Sequence, residues 1–184
     1  MTSRVDRSPA ITDPFIGRDP EISLLLHGLD QARDGRGQLF LIGGEPGIGK
    51  SRLANEFAAR ARERGSRVLL GRAWEGGGAP AYWPWIQVLR GYLRDLPAEL
   101  AERQLGPGIA DLAQILPEIR TLVPDLPAGA GDSDAARFQL FDSIAALLRR
   151  VAAERELVLV LEDLHAADAA TVLLLRFVDR ESVV

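Results

Sequence analysis

The sequence contains no cysteine and a single lysine, and both scarcities limit what the chain can do. Without cysteine there can be no disulfide and no thiolate metal site. The other 21 basic residues are all arginine, so Lys50 stands out as an exception within this composition. With one lysine in this position, the chain also has no place for the Asn-Lys-x-Asp signature of guanine-specific nucleotide hydrolases.

Long apolar runs are missing too. Residues 1–14 lack the apolar stretch of a secretion signal, and no later run approaches the length of a membrane span. We therefore expect a cytoplasmic protein with no membrane partner. With a net charge of -4, the chain is not expected to bind the phosphate backbone of a nucleic acid through charge alone. We therefore expect no direct nucleic-acid binding by this segment.

What is present fits a globular α/β domain. A chain of 184 residues with 47% hydrophobic residues is long enough to bury a core. Residues 1–13 are polar and broken by Pro9, which predicts a flexible N-terminal tail, and 14–184 remain for the folded domain.

Short apolar runs alternate with helical patterns along that domain, which is typical of a parallel sheet covered by helices. Asp19 is predicted to cap the first helix, with Pro20 at its first position. The predicted strands are 38–42, 67–70 and 157–161; the clearest helices are 50–64, one that begins near 134, and 168–179.

The segment GEPGIGKS, Gly44–Ser51, matches the phosphate-binding loop pattern G-x-x-x-x-G-K-[ST]. Its glycines allow a tight turn whose backbone N–H groups point at phosphate oxygens. The Lys50 ammonium is compact enough to reach between the β- and γ-phosphates, where the wide fork of arginine does not fit. The pattern predicts ATP and Mg²⁺ as ligands. The predicted nucleotide-binding residues here are Gly44, Glu45, Pro46, Gly47, Ile48, Gly49, Lys50, Ser51 and Arg52.

Two adjacent carboxylates, Glu162 and Asp163, end the third predicted strand. Glu162, together with the Ser51 hydroxyl, is predicted to hold Mg²⁺, and Asp163 to orient or deprotonate the attacking water. An acidic pair can also simply end a strand at the surface. We favour the catalytic interpretation because the same chain contains the phosphate-binding loop pattern. His165 is predicted either to contact phosphate or water, or only to satisfy loop backbone groups. Asp168 is predicted to cap the last helix.

Two further segments support a family resemblance. FIGRDPE, Phe15–Glu21, resembles the F-V-G-R-x-x-E entry motif of AAA-type and STAND signal-transduction ATPases, and LVLVLEDLHAADAAT, Leu157–Thr171, resembles their Walker B segment. Together with GEPGIGKSRL and AYWPWIQVLR, the match covers most of 14–178. The chain resembles the origin-recognition-like AAA ATPase module that occurs in large bacterial regulators beside LuxR-type helix-turn-helix domains or adenylate cyclase domains.

The resemblance implies a P-loop NTPase domain with a three-layer αβα architecture and a parallel sheet. It places Gly17 and Arg18 near the adenine. It also implies an ATP-binding regulatory module whose nucleotide state switches a larger signalling or transcriptional regulator, with a downstream effector domain such as a DNA-binding helix-turn-helix, and a nucleotide-dependent oligomer.

The departures from the family pattern are informative. Ala166 replaces the usual tryptophan, and Glu162 stands where aspartate is commoner, so we expect ATP binding with at most slow hydrolysis. The family strand order 5-1-4-3-2 puts a fourth strand between the first and third, and we expect a domain truncated before strands 4 and 5. Two alternatives remain: a stand-alone kinase-type phosphotransferase, whose third strand lies directly beside the first, and a degenerate scaffold that binds no nucleotide.

Overall fold

A computed structural model of the chain describes residues 17–94, 96–127, 131 and 133–181; the predicted tail, 1–13, and the first two residues of the entry motif lie outside them. In chain order the elements are α1 (Asp19–Arg33), α2 (Lys50–Glu63), β1 (Arg67–Arg72), α3 (Trp83–Arg94), α4 (Ala98–Leu105), α5 (Ile109–Ile115), α6 (Ile119–Leu122), α7 (Asp134–Glu154), β2 (Leu157–Glu162) and α8 (Ala169–Glu181). Every helix in this part of the chain is too short or too polar to traverse a bilayer.

The sheet consists of β1 and β2, which pair in parallel and in register from Arg67 opposite Leu157 to Arg72 opposite Glu162. This confirms an α/β fold with a small parallel sheet. Because β1 continues two residues beyond the predicted 67–70, its last residue, Arg72, comes to lie beside Glu162.

Helices cover both faces of the sheet. Leu157, Leu159 and Leu161 pack against the large cluster formed by α3 to α8, whereas Val158 and Val160 pack towards α1 and α2. This alternation follows the twofold period of a strand and explains why β2 is apolar from Leu157 to Leu161. The centre of the larger cluster is fully buried at Trp85, Leu112, Ile144, Leu147 and Leu174.

The prediction of a strand over 38–42 is wrong. Residues 36–45 adopt no regular secondary structure, and Leu41 is 77% exposed. A strand needs hydrogen-bonding neighbours, and in the described part of the chain β2 pairs only with β1. Phe40 anchors the segment by packing with the Ile22–Leu25–Leu53 cluster, where it lies so close that a Cβ at Gly28 would be 2.4 Å from its ring.

The first helix also differs from its prediction at one end. Asp19 is the first helical residue, and the N-cap is Arg18, which makes no side-chain capping hydrogen bond. Asp19 instead places a carboxylate in the first turn, where it complements the helix dipole. The helix ends where Gly35 adopts a left-handed backbone (φ 78°) and the amides of Asp34 and Gly35 bond to the carbonyls of Gln31 and Ala32.

Candidate functional site

The predicted phosphate loop leads directly into α2. Gly47 and Gly49 have φ values of 82° and 94°, in the left-handed region that favours glycine, and a Cβ at either would meet no atom within 4 Å. Gly49 is the N-cap of α2, so the amide-rich N-terminus of a 14-residue helix opens onto the loop. Residues 41–48 are exposed. The local geometry is that of an anion-binding helix entry, and the backbone there is accessible.

Lys50 folds back over its own loop. Its Nζ donates to the carbonyl oxygens of Gly44 (2.9 Å) and Glu45 (3.0 Å). Arg18 supports the loop from the other side, since its guanidinium donates to the Ile48 carbonyl (2.8 Å) and to Glu21 (3.3 Å). The entry motif and the phosphate loop are therefore in direct contact, as their joint assignment to one site requires.

The topology brings the loop and the acidic pair to one edge of the sheet. α2 packs against both strands and runs back towards the start of β1, where the Ser66 amide bonds to the Ala61 carbonyl. Its N-terminus therefore lies towards the carboxyl ends of the strands, where β2 ends at Glu162. Within the described residues no hydrogen bond links Ser51 directly to Glu162.

Glu162 is 16% exposed and is held by Arg72. Its Oε2 accepts from Arg72 Nε at 3.0 Å and from Arg72 Nη2, and this hydrogen bond, followed by the Glu162 charge, raises the pKa of the Arg72 guanidinium. The other oxygen, Oε1, is buried and has no hydrogen-bond partner. A buried carboxylate oxygen without a partner is costly unless a cation or water binds it. The residues present thus fit a hard cation, because a carboxylate and the Ser51 hydroxyl are ligands that Mg²⁺ accepts.

Asp163 follows in a left-handed conformation (φ 56°), which aspartate tolerates better than most residues, and starts the short 3-10 turn Leu164–Ala166. Its Oδ2 lies 3.5 Å from Arg72 Nε. His165 Nε2 lies 3.0 Å from Glu75 Oε1, and ligand atoms of Glu75, Asp163 and His165 all lie within 4.8 Å of one another. His165 therefore has a side-chain carboxylate partner, which neither sequence interpretation included.

Sequence reasoning missed Arg72 and Glu75. Both follow from β1: Arg72 is its last residue, opposite Glu162, and Glu75 lies in the loop after it. The sequence offered one indication of these residues: the carboxyl ends of neighbouring parallel strands lie at the same end of the sheet, so the residues that end the two strands lie side by side.

One prediction about a neighbouring residue is confirmed. Asp168 caps α8, since its carboxylate accepts from the Thr171 amide (2.9 Å) and also from the Tyr82 amide (3.3 Å). Trp85, in the segment AYWPWIQVLR, packs in the core next to this cap; it is 0% exposed and donates from Nε1 to the Thr171 carbonyl at 3.1 Å.

Comparison with known proteins decides the family. A family model described as an AAA ATPase domain matches residues 14–181, nearly the whole chain. The chain belongs to the AAA ATPase domain family. Membership indicates a nucleotide-binding domain of the NTPase type.

An uncharacterized protein of Rhizobium meliloti (strain 1021) is 32% identical over 104 residues of this AAA domain, 55% of the chain. The match covers only 9% of that protein, so the chain spans a small part of this relative's length. No solved structure matches the AAA domain significantly.

Proposed function

We propose that this AAA domain binds ATP with Mg²⁺ and acts as a nucleotide-dependent switch in a larger signalling or transcriptional regulator. The observation that carries the proposal is the exposed loop that turns at Gly47 and Gly49 into the N-terminus of α2. That geometry provides amide donors and a positive dipole end for a phosphate chain, and Lys50 adds the cation.

In this proposal Lys50 releases the Gly44 and Glu45 carbonyls and turns its ammonium to the terminal phosphates. Gly17 and Arg18 lie beside the adenine base. Because Arg18 also donates a hydrogen bond to the Ile48 carbonyl, binding of the base is coupled to the position of the phosphate loop. Arg52 follows Ser51 in the first turn of α2 and contributes a second positive charge.

Ser51 and Glu162 would hold Mg²⁺, which supplies charge neutralisation for the phosphates when bound. Glu162 fits this role through its buried, partnerless Oε1. Asp163 would position or deprotonate water. Arg72 forms ion pairs with both Glu162 and Asp163. These ion pairs compete with metal binding by Glu162 and with water activation by Asp163, and we propose slow turnover for that reason.

A regulatory role is supported by the relative from Rhizobium meliloti, in which the matched region is a small part of a much longer chain. We propose an effector domain elsewhere in the same polypeptide, of the LuxR-type helix-turn-helix or adenylate cyclase kind, and nucleotide-dependent self-association of the module. The kinase-type alternative requires a strand at 38–42 beside β2, and the described structure, in which β2 pairs with β1, offers no support for it.

Titration calorimetry with Mg·ATP tests the proposal. We expect saturable binding by the parent chain and loss of tight binding in Lys50→Ala, since a charge-assisted hydrogen bond contributes about 1.5–3 kcal/mol. Arg62→Ala, which removes an exposed cation from the same helix, should bind like the parent. Equal affinity in Lys50→Ala and the parent would reject the phosphate loop, and no binding by the parent would leave the scaffold alternative.

A further inference from the structure

A groove of about 430 Å³ lies between the first turns of α7 and residues 173–180 of α8, and its lining includes no residue of the phosphate loop or of the acidic pair. Its floor consists of Phe138, Phe141, Leu173 and Phe177. Phe138 is 61% exposed and Leu173 46% exposed, so the groove is open along the two helices and is not an enclosed cavity. We call it the α7–α8 groove.

The aromatic floor is ordered by ring contacts and does not consist of isolated exposed side chains. Phe138 and Phe177 meet edge to face with centroids 5.6 Å apart, Phe141 and Phe177 are 5.7 Å apart, and Tyr82 continues the row at 6.0 Å from Phe141. Because Phe141 is 7% exposed and joins the main core, the row fixes the outer rings in place. A preorganised apolar surface loses little side-chain entropy when a partner covers it.

The rim of the α7–α8 groove is positively charged, although the chain as a whole carries a net charge of -4. Arg137, Arg176 and Arg180 line it, against one carboxylate, Asp134, which pairs with Arg137 at 2.9 Å. Arg176 and Arg180 form no ion pair with any described residue. They stand at i and i+4 on α8, a like-charge spacing that is unfavourable on an isolated helix surface.

We propose that the α7–α8 groove docks an acidic amphipathic helix of a protein partner. The open trough between two helices suits a third helix, whose apolar residues at i, i+3 or i+4, and i+7 would cover the aromatic floor. Carboxylates flanking that stripe would pair with Arg176 and Arg180, which present planar forks to solvent and can bind carboxylate bidentately. Phenylalanine and arginine together are the composition enriched at protein interfaces.

Panning a random-peptide phage library against the full chain tests this proposal. We expect enriched peptides to combine an apolar stripe of helical spacing with Asp or Glu. Synthetic copies of the enriched peptides should bind the Leu173→Ser and Arg176→Glu variants of the chain about tenfold or more weakly than they bind the parent, as expected for an interface hot spot. The matched controls are Leu24→Ser on α1, where Leu24 is 58% exposed, and Arg62→Glu on α2. Both should bind the peptides like the parent.

Several results would overturn the proposal. These are an absence of enriched peptides, enrichment of basic or non-helical peptides, or equal affinity of the groove variants and the controls. The parent chain could instead bind no peptide but sediment with phosphatidylglycerol vesicles, and Arg176→Glu could abolish that sedimentation. This result would reject the helix proposal and assign the groove to an anionic lipid surface. Arg176 is exposed, so Arg176→Glu carries the test if Leu173→Ser melts early. None of these variants touches the phosphate loop, so Mg·ATP binding should stay at the parent level throughout.

Discussion

Glu162 and Asp163 are neighbours in sequence but differ in their surroundings. Glu162 is 16% exposed, with one oxygen held by Arg72 and the other buried without a partner, whereas Asp163 is 34% exposed and sits in a left-handed turn. The first arrangement suits a metal ligand and the second a group that reaches water. This difference leads us to expect different consequences when each charge is removed.

We expect Asp163→Asn to bind Mg·ATP like the parent and to lose any turnover. Glu162→Gln should instead weaken the dependence of binding on Mg²⁺, because an amide is a poorer ligand for a hard cation. Calorimetry across Mg²⁺ concentrations and a phosphate-release assay measure the two effects. If both variants hydrolyse ATP at the parent rate, the acidic pair only ends a strand.

At the scale of elements, β1 and α3 approach so closely that glycine is required at one point. A Cβ added at Gly71 would lie 2.2 Å from the Pro84 carbonyl oxygen in the first turn of α3. That atom is backbone, so either the strand or the helix must move.

We therefore expect Gly71→Ala to lower the free energy of unfolding by about 1–3 kcal/mol, the usual cost of overpacking. Gly91→Ala is the matched control, because Gly91 is inside α3 and its added Cβ would make an ordinary contact, 3.6 Å from Leu69. Alanine there should be neutral or stabilising by up to about 1 kcal/mol. Urea denaturation compares the two, and equal effects would contradict the close approach.

The link between α3 and α6 should depend on pH. Arg90 Nε lies 2.5 Å from Glu118 Oε1, and this hydrogen bond is the main reason that the pKa of Glu118 falls below its ordinary 4.5. A lowered carboxyl pKa stabilises the folded state above the unfolded value, and that stabilisation is lost as the pH falls through the folded pKa.

Glu118→Gln should accordingly melt below the parent at neutral pH, and the two melting temperatures should converge as the pH drops below about 4.5. Glu118 is 40% exposed, so solvent screening keeps the effect small. Glu63→Gln on α2, which removes an exposed carboxylate, is the control. A constant difference between Glu118→Gln and the parent at all pH values would show that the ion pair does not titrate.

Elements and site differ in how well the sequence alone could predict them. The helix from Ser133 and the turn at Gly35 were predictable because caps and periodicity are local, and the motif Gly44–Ser51 is contiguous. The failure at 38–42 has a non-local cause, since strand formation depends on a hydrogen-bonding neighbour. Arg72 was missed for a similar reason, because its role depends on the register between strands far apart in the chain. The site assignments themselves stay predictions until nucleotide binding is measured.

Across the whole molecule, stability is unevenly distributed around the sheet. The large cluster of α3 to α8 contains most of the fully buried side chains, while the 36–45 segment next to the phosphate loop is irregular and largely exposed. Segments with few buried contacts and few backbone hydrogen bonds open at low free energy. The proposed nucleotide site thus includes or adjoins a segment of the domain that is irregular and largely exposed.

Hydrogen exchange should reveal this asymmetry and its response to nucleotide. Amides of 36–49 should exchange fast in the free protein and those of α7 slowly, because only the latter lie in a packed helix. Mg·ATP should slow exchange at 43–49 and in the first turn of α2, since phosphate oxygens would accept from those amides, and should leave α7 unchanged. In Lys50→Ala the same addition should have little effect. Strong protection of 38–42 without nucleotide would instead mean that this segment is paired as a strand in solution and that our account of the sheet is wrong.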